Sequence, residues 1–239
     1  MQLTWIRFKK YRRFSQEQTL RFSSKLTALV GPNESGKSSL LRLLSLIGHD
    51  EPFDNIDATR GEGVVASELR LEAAFFLDDS DRSDIADIPG GNATRWLKMT
   101  KQRDGSRDFI LEPTLERDLT PRAAAARELK RALKRQGFEG HLAASNENEE
   151  ESHSAMDVSN VLETGSQDLS ANDIQVIEDF GRRLQTDPAS RVPTYVTKLA
   201  ETLVTLAELE SQDHPRNQAI QRLMLRLPSF ATCVPCQTF

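Results

Sequence analysis

Apolar and polar residues follow regular patterns near the start of the chain. Gln2–Phe8 alternates, and Thr19–Phe22 and Leu26–Val30 are short runs rich in apolar residues, so the pattern predicts three β-strands. Leucine and isoleucine then recur at helical spacing over Leu40–Ile47, and Gly48 stands where a glycine commonly ends a helix. The sequence therefore predicts a strand, a loop and a helix in direct succession.

The next part of the chain continues with β-structure. Leu69–Leu77 predicts a strand that stops at the turn-rich segment DDSDRSD. Arg95–Lys101 and Asp108–Leu111 flank the dipeptide Asp-Gly at 104–105, which is typical of a hairpin turn. We expect a further strand followed by a β-hairpin.

Helical spacing dominates from there onward. Thr120 followed by Pro121 matches a capping residue and a first-turn proline, and predicts a helix that runs to about Arg135. Further helices are predicted at about 174–184, 195–209 and 217–227. The first of these is preceded by Ser170 and Asp173 at the spacing of a capping box.

Composition excludes several classes of protein. The 239 residues include 31 Lys+Arg and 36 Asp+Glu, a net charge of −5, which argues against a polycation that coats nucleic acid. Two cysteines are too few for a disulfide-stapled fold, and no apolar run approaches the roughly 18 residues of a membrane-spanning helix. The N-terminus is too charged for a signal peptide. We expect a cytoplasmic protein with no membrane partner.

Charge is also distributed in blocks. No Lys or Arg occurs from Gln136 to Gly181, and the polar, acidic part of that stretch has too little apolar surface to offset its ordering entropy. We expect a flexible linker there, with a regulatory or DNA-mimicking tether as the alternative. The predicted organisation is a β-rich lobe at 1–142, the linker at 143–168, a helical arm at 169–227 and a tail at 228–239.

One motif carries recognisable chemistry. Residues 31–38 read GPNESGKS and fit the P-loop pattern G-x-x-x-x-G-K-[ST], with a predicted strand before the motif and a predicted helix after it. Such a loop points backbone N–H groups at phosphates, and the dipole of the helix adds to the attraction. The predicted phosphate-binding residues are Gly31, Asn33, Glu34, Ser35, Gly36, Lys37, Ser38 and Ser39.

Two side chains of the motif have specific roles. Lys37 is expected to reach the β- and γ-phosphates and to neutralise charge during catalysis, and the Ser38 hydroxyl is expected to bind Mg²⁺. The segment TKQRD at 100–104 comes near the guanine-reading pattern [NT]-K-x-D, but its aspartate is one residue late. The predicted ligand is therefore ATP with Mg²⁺ rather than GTP.

The wording NESGKS, with Tyr11, Arg12 and Phe14 upstream of it, resembles the ATPases of the OLD (overcoming lysogenisation defect), RecF and SMC group. The resemblance covers about residues 1–112. It implies an α/β fold, namely a P-loop NTPase lobe with an antiparallel side sheet, followed by an α-helical arm. It also implies an ABC-type ATPase that acts in DNA repair, chromosome maintenance or phage defence.

The resemblance places Arg12 beside the nucleotide phosphates and lets Phe14 support the turn. Without the resemblance, the basic residues of this turn and its approach are interpreted only as a surface patch. These residues are Lys9, Lys10, Arg12 and Arg13.

Two motifs of the group are missing from the sequence. No apolar strand ends in Asp-Glu, as Walker B requires, and no signature loop of the LSGGQ kind occurs. Asp78 and Asp79 follow an apolar run, but only about 40 residues after Lys37, which is too early for this group. The resemblance instead makes that run an edge of the side sheet. Asp78 as a Mg²⁺ ligand is the alternative.

These absences suggest an N-terminal fragment of a longer ATPase, with a homodimer or a complete ATPase partner needed for turnover. A non-catalytic nucleotide-sensing module that pairs with such a partner is the alternative function, and a transporter ATPase fits less well. DNA is a possible partner through a basic helical face formed by Arg127, Lys130, Arg131 and Lys134, which otherwise is a solvated face. Cys233 and Cys236 in the tail are compatible with metal binding, redox chemistry or no role.

Overall fold

The structure is a computed structural model that describes residues 1–23, 26–59, 69–135, 138, 154–185 and 193–230. The chain divides into two compact units: Met1–Leu115 together with the chain from Pro215 onward form the first, and Glu116–His214 form the second. This division corrects the predicted boundaries, because the last described helix belongs to the first unit and buries Ala219 and Leu223 in its core.

The first unit is built on a five-stranded antiparallel sheet with the strand order β2-β1-β3-β4-β5. The strands are β1 Gln2–Lys9, β2 Gln18–Arg21, β3 Arg70–Phe76, β4 Trp96–Gln102 and β5 Arg107–Glu112. The predicted strand at 69–77 is therefore confirmed, but it lies in the centre of the sheet. Its prediction as an edge strand was wrong, because β1 and β4 pair on its two sides.

Alternation along the strands explains why one face of the sheet carries the core. Alternate residues of four strands are buried there: Ile6, Phe8, Leu71, Ala73, Phe75, Leu97, Met99, Phe109 and Leu111. Charged residues such as Arg7, Glu72 and Lys98 occupy the opposite face. The hairpin predicted around Gly105 is confirmed by the pairing of β4 with β5.

In the described part of this unit, the α-helices are α1 Lys37–Ser45, α2 Asp79–Asp84 and, at the end of the described chain, α7 Pro215–Met224. Leu43 of α1 packs into the sheet core. Gly48 ends the 3-10 turn Leu46–Gly48 that follows α1, and it does so without a positive φ. Instead Lys101 of β4 donates to the carbonyl oxygens of Leu46 and His49 at 2.9 and 2.6 Å and so satisfies this helix end.

The segment DDSDRSD begins a helix rather than a simple turn. Asp78 is the N-cap of α2 and accepts a hydrogen bond from the Asp81 backbone at 3.0 Å, while the Asp81 carboxylate accepts from the Asp78 backbone.

The strand predicted at Leu26–Val30 is not formed. The backbone there pairs with no strand of the described chain, and Leu26 and Val30 are 83% and 92% exposed. A strand needs a neighbour to satisfy its backbone groups and to cover its side chains, and none of the five described strands lies beside this segment. The loop motif is thus preceded by an exposed segment that forms no strand.

The second unit consists of four described helices: α3 Thr120–Leu133, α4 Ala155–Leu162, α5 Ala171–Gln185 and α6 Thr194–Ser211. Helix α4 lies inside the segment 143–168 that was predicted to be a flexible linker, so that prediction was wrong for Ala155–Leu162. Ser154 and Asp157 cap its start reciprocally, and Val158 is buried, so this part of the stretch does have an apolar face to pack. Residues 143–153 lie outside the described residues.

Helix starts were predicted with mixed success in this unit. The capping box of Ser170 and Asp173 before α5 is confirmed by hydrogen bonds in both directions. Thr120 was wrongly predicted as a cap, since Leu119 occupies that position and Asp118 accepts the Thr120 N–H at 2.8 Å. None of the helices in the described ranges has the length and apolar character needed to cross a membrane.

A buried ion pair joins α3 to α6. Arg122 Nε and Nη2 donate to the two carboxylate oxygens of Glu210 at 3.0 and 2.8 Å, and the side chains are only 2% and 4% exposed. Arg122 Nη1 also donates to the Ser166 carbonyl at 2.7 Å. Nothing in the sequence pattern predicted this pair.

Candidate functional site: a phosphate-binding loop

The P-loop motif leads into the uncapped start of a helix. Gly36 is the N-cap of α1 and has a left-handed backbone with φ 99°. No side chain caps the helix, and its first turn contains no acidic residue. The first backbone N–H groups of a helix have no acceptor inside the helix, so here they remain available to an anion.

Lys37 folds back over its own loop. Its Nζ donates to the carbonyl oxygens of Gly31 and Pro32, each at 2.7 Å, and lies 3.5 Å from Ser35 Oγ. These contacts hold the ammonium group at the mouth of the loop rather than in open solvent. A phosphate bound there would meet a cation that is already positioned.

The remaining residues of the motif lie on the loop and in the first turn of α1. Gly31, Asn33, Glu34 and Ser38 are exposed, while Ser35, Gly36 and Ser39 are half-buried. Glu34 has φ 63°, a left-handed conformation that is uncommon for a residue with a side chain and typical of functional loops. The predicted residues therefore lie on one continuous segment, the loop and the first turn of α1, with positive φ angles at Glu34 and Gly36.

The turn after β1 packs against the loop. A carbon atom added to Gly36 would lie 2.6 Å from Phe14 Cζ and 3.0 Å from Arg13 Cδ, so only glycine fits at this position. The Phe14 ring also packs edge-on against Phe8, with centroids 5.3 Å apart. The Phe14 ring therefore lies between Gly36 of the loop and Phe8 of β1.

Arg12 lies close by but has another partner. Its backbone is left-handed with φ 47°, its N–H donates to the Asp57 carbonyl at 2.7 Å, and its Nε and Nη2 both lie 2.9 Å from Asp57 Oδ1. Arg42 Nε donates to the same oxygen at 3.2 Å, and Arg42 also pairs with Asp54. The Asp57 carboxylate is completely buried beneath the two arginines.

We call Arg12, Arg42 and Asp57 the Asp57 cluster. Sequence analysis missed Asp57 and Arg42, although Asp54 and Asp57 have the spacing of a capping box, which the structure forms at the 3-10 turn Asn55–Asp57. Beside the cluster, burial raises the pKa of the Tyr11 phenol to about 12, and the negative charge of Asp57 adds to the shift.

Asp78 is remote from the loop. Its carboxylate caps α2 and pairs with the Met1 ammonium next to the start of β1. The P-loop instead packs against Phe14, whose ring lies on Phe8, six residues along β1 from Gln2. Six residues of strand span roughly 20 Å. The structure therefore does not bring Asp78 together with Ser38, and the pKa of Asp78 is lowered to about 2 chiefly by its bond to the terminal ammonium.

Other predicted functional residues lie elsewhere. The four predicted basic residues lie on α3 and at its C-cap, Lys134, and are exposed, opposite the buried Leu129 and Ala132; Lys130 pairs with Glu163. Cys233 and Cys236 lie outside the described residues. No cluster of three or more potential metal ligands occurs among the residues that the structure describes.

The sheet, the glycine-hinged loop and the following helix define an α/β P-loop ATPase lobe with an antiparallel side sheet and a helical arm. The chain belongs to the AAA ATPase domain family, whose model matches residues 1–174.

The relatives are chromosome partition proteins. The Smc protein of Fusobacterium nucleatum is 23% identical over 124 residues, which cover 49% of this chain and 10% of that protein. The Smc protein of Mycobacterium leprae is 32% identical over 88 residues, covering 34% and 7%. The SMC head domain of Thermotoga maritima is 22% identical, with a TM-score of 0.31 over 46% of this chain and 37% of that one.

The family model and the Smc relatives confirm the predicted relation to SMC-type P-loop ATPases. The chain spans about a tenth of the length of the curated relatives that it matches.

Proposed function

We propose that this chain binds ATP with Mg²⁺ at residues 31–39 and forms part of an ATPase that works on DNA, in repair, chromosome maintenance or phage defence. The observation that carries the proposal is the uncapped start of α1 with Lys37 held over it. A helix start of this kind, next to a positioned lysine, favours a polyphosphate over a neutral ligand.

Each group has a role in the proposed site. Backbone N–H groups from Asn33 onward surround the β-phosphate, and the Lys37 ammonium exchanges its carbonyl partners for β- and γ-phosphate oxygens. The exposed Ser38 hydroxyl ligates Mg²⁺, which neutralises phosphate charge when bound. These contacts stabilise charge in both the ground state and the transition state.

Turnover in this group of ATPases needs a Walker B carboxylate and a signature loop. Neither motif is found in the 239 residues. The exposed Leu26 and Val30 lie on a segment without a strand neighbour in the described chain. We infer that a second lobe or partner, in a homodimer or in a complete ATPase, covers this segment and supplies the missing groups. The lack of a Walker B carboxylate also favours the second candidate, a nucleotide-sensing module that binds ATP without hydrolysing it.

Titration of the chain with ATP and ADP in the presence of Mg²⁺ tests the binding proposal. We expect measurable binding by the natural chain, loss of binding in Lys37→Ala, and no change in Lys134→Ala, a matched substitution of the exposed lysine that follows α3. Unchanged affinity in Lys37→Ala would refute the site assignment.

Hydrolysis separates the two candidate functions. We expect the isolated chain to hydrolyse ATP slowly or not at all. If turnover appears when a complete partner is added, and Lys37→Ala removes that gain, the ATPase candidate is supported. If the partner's activity responds to ATP bound here without turnover at this loop, the sensing candidate is supported.

A DNA role is tested separately on α3. Alanine at Arg127, Arg131 and Lys134 would remove three exposed positive charges from one helical face. If this face contacts phosphates of DNA, the affinity falls and its dependence on salt becomes shallower. An unchanged salt dependence would show that this basic face does not contact DNA and is only a solvated surface.

A further inference from the structure

The helix that begins in the P-loop is held at its far end by a buried lysine. Lys101 of β4 is completely buried, and its Nζ donates to the carbonyl oxygens of Leu46 and His49 at 2.9 and 2.6 Å. Leu46 is the C-cap of α1. We propose that Lys101 is a positioning residue for the nucleotide site, because it fixes the end of α1 and thereby sets where the start of α1 presents its N–H groups to phosphates. The inference rests on the proposed nucleotide site and deepens it.

The chain that enters the P-loop gives the loop little support. Leu26 and Val30 are exposed, and their segment pairs with no strand in the described ranges. The exit side is held more firmly, because Leu43 of α1 is buried in the sheet core and Lys101 binds the end of the helix. The placement of the loop therefore depends on how α1 is held against the sheet.

A lysine serves this end of the helix better than an apolar residue would. The last carbonyl groups of a helix have no donor within the helix, and they carry partial negative charge that attracts a cation. Lys101 forms no ion pair among the described residues, so no carboxylate offsets the burial of its ammonium group. Besides the two carbonyl oxygens, its Nζ meets the Phe53 ring, 5.4 Å from the ring centre. All of these partners lie on the end of α1 or on the chain that follows it.

The hairpin of β4 and β5 also contacts the chain that follows α1. The Phe53 N–H donates to the Arg103 carbonyl at 3.0 Å, and Arg107 pairs with Asp50. Gly105 has φ 90°, and a Cβ added there would lie only 2.3 Å from the Asp50 carbonyl oxygen. Lys101 therefore belongs to a continuous contact between this hairpin and the end of α1.

A small tilt of α1 would be felt at its start. From Lys37 to its C-cap the helix is roughly 14 Å long. A tilt of about 5° at the anchored end moves the start of such a helix by about 1 Å. A displacement of that size strongly impairs a site whose groups must be in place before the ligand arrives. Loss of the anchor should therefore weaken phosphate binding without removing any group that touches phosphate.

Calorimetric titration of the full chain with Mg·ATP and Mg·ADP tests the proposal. Lys101→Met keeps a similar shape without the charge or the donors, and we expect it to bind both nucleotides about tenfold more weakly at a temperature where it is folded. Lys101→Gln keeps an N–H donor for the carbonyl oxygens and should recover part of the loss.

Leu97→Ala is the matched control, because Leu97 is buried in the core at the other end of β4. The cavity should lower the melting temperature but leave the nucleotide affinity of the folded protein within about twofold of the natural value. An unchanged affinity in folded Lys101→Met would overturn the proposal. An equal loss in Leu97→Ala would also overturn it, since the effect would then reflect stability alone.

Hydrogen exchange of the natural chain decides the matter if neither Lys101 variant folds. Coupling between the two ends of α1 is reciprocal, so saturating Mg·ATP should slow amide exchange at residues 47–53. Exchange there that does not respond to Mg·ATP would refute the positioning role.

The outcomes also separate this inference from the proposed function. If the natural chain binds neither nucleotide, the nucleotide site itself is wrong, and the role of Lys101 falls with it. If the natural chain binds and Lys37→Ala removes binding, while folded Lys101→Met binds normally, only the role of Lys101 is wrong.

Discussion

Among the described residues, Glu210 and Asp57 are two of the buried carboxylates that bind arginine, and they are built differently. In the helical unit, Glu210 and Arg122 bury each other almost completely. In the sheet unit, Asp57 is equally buried, but its partners Arg12 and Arg42 are 26% and 40% exposed. The first is a closed pair, because both side chains are almost fully buried. The second is an open cluster, because its two arginines are partly exposed to solvent.

The different exposure of the arginines distinguishes a purely structural ion pair from one that lies next to the phosphate-binding loop. A closed pair must be complete to be tolerated, since either partner alone is a charge that water does not reach. In an open cluster the arginines retain access to water, so each can be lost more cheaply. The open cluster is also the one beside the phosphate-binding loop, because Arg42 lies on α1, which begins in that loop.

Glu210→Ala should have the largest effect. It leaves the Arg122 guanidinium buried without its carboxylate, and we expect the free energy of unfolding to fall by about 3–5 kcal/mol. Chemical denaturation followed by circular dichroism would measure the change, and nucleotide affinity in the folded fraction should not move.

A double variant provides the control. Arg122→Met combined with Glu210→Leu removes both charges and should recover most of the lost stability, since a buried ion pair can often be replaced by apolar residues. A cost below about 1 kcal/mol for Glu210→Ala alone would show that this pair is not closed.

Asp57→Asn should have the second largest effect. It weakens the charge-assisted hydrogen bonds from Arg12 and Arg42, but both arginines can turn toward water. We expect a loss of about 1–3 kcal/mol in the free energy of unfolding. A loss that equals or exceeds the one for Glu210→Ala would contradict the distinction between the closed pair and the open cluster.

Arg42→Gln should have a smaller effect still. Asp57 keeps Arg12 as a partner in this variant, and Arg42 is partly exposed. We expect the free energy of unfolding to change by about 1 kcal/mol or less. Arg42→Lys is the matched control that keeps the charge. If Arg42→Gln costs as much as Asp57→Asn, Arg12 does not compensate for the lost partner.

The sequence predicted the elements whose signals are local. The strands Gln2–Lys9 and Trp96–Gln102 follow from alternation, and α6 follows from helical spacing. The capping box before α5 has a fixed spacing of three residues, and it was found for that reason. The P-loop was found because its chemistry requires residue types in one short segment.

The errors concern contacts between distant parts of the chain. The strand at Leu26–Val30 has strand-like residues but no neighbour in the described chain, and alternation cannot reveal that. Helix α4 was hidden in a polar, acidic stretch because its apolar face is only a few residues wide. The pairs made by Asp57 and Glu210 join residues 45 and 88 positions apart, and no local pattern marks them.

Lys101 provides the last and smallest test, because it is a buried charge that forms no ion pair among the described residues. Its Nζ binds only two carbonyl oxygens, at 2.9 and 2.6 Å, and lies 5.4 Å from the centre of the Phe53 ring. Burial lowers the pKa of Lys101, and the positive charge of Arg107 adds to the shift.

The pH dependence follows from the direction of this shift. Between the lowered folded pKa and the ordinary pKa of about 10.4, the unfolded chain binds more protons than the folded one, so the free energy of unfolding rises with pH. We expect the stability of the natural chain relative to Lys101→Met to increase as pH is raised from about 8 to about 10. Denaturation curves of both proteins across this range would measure it. A difference that stays constant or shrinks would mean that the carbonyl oxygens and the Phe53 ring compensate the buried charge as fully as a carboxylate does.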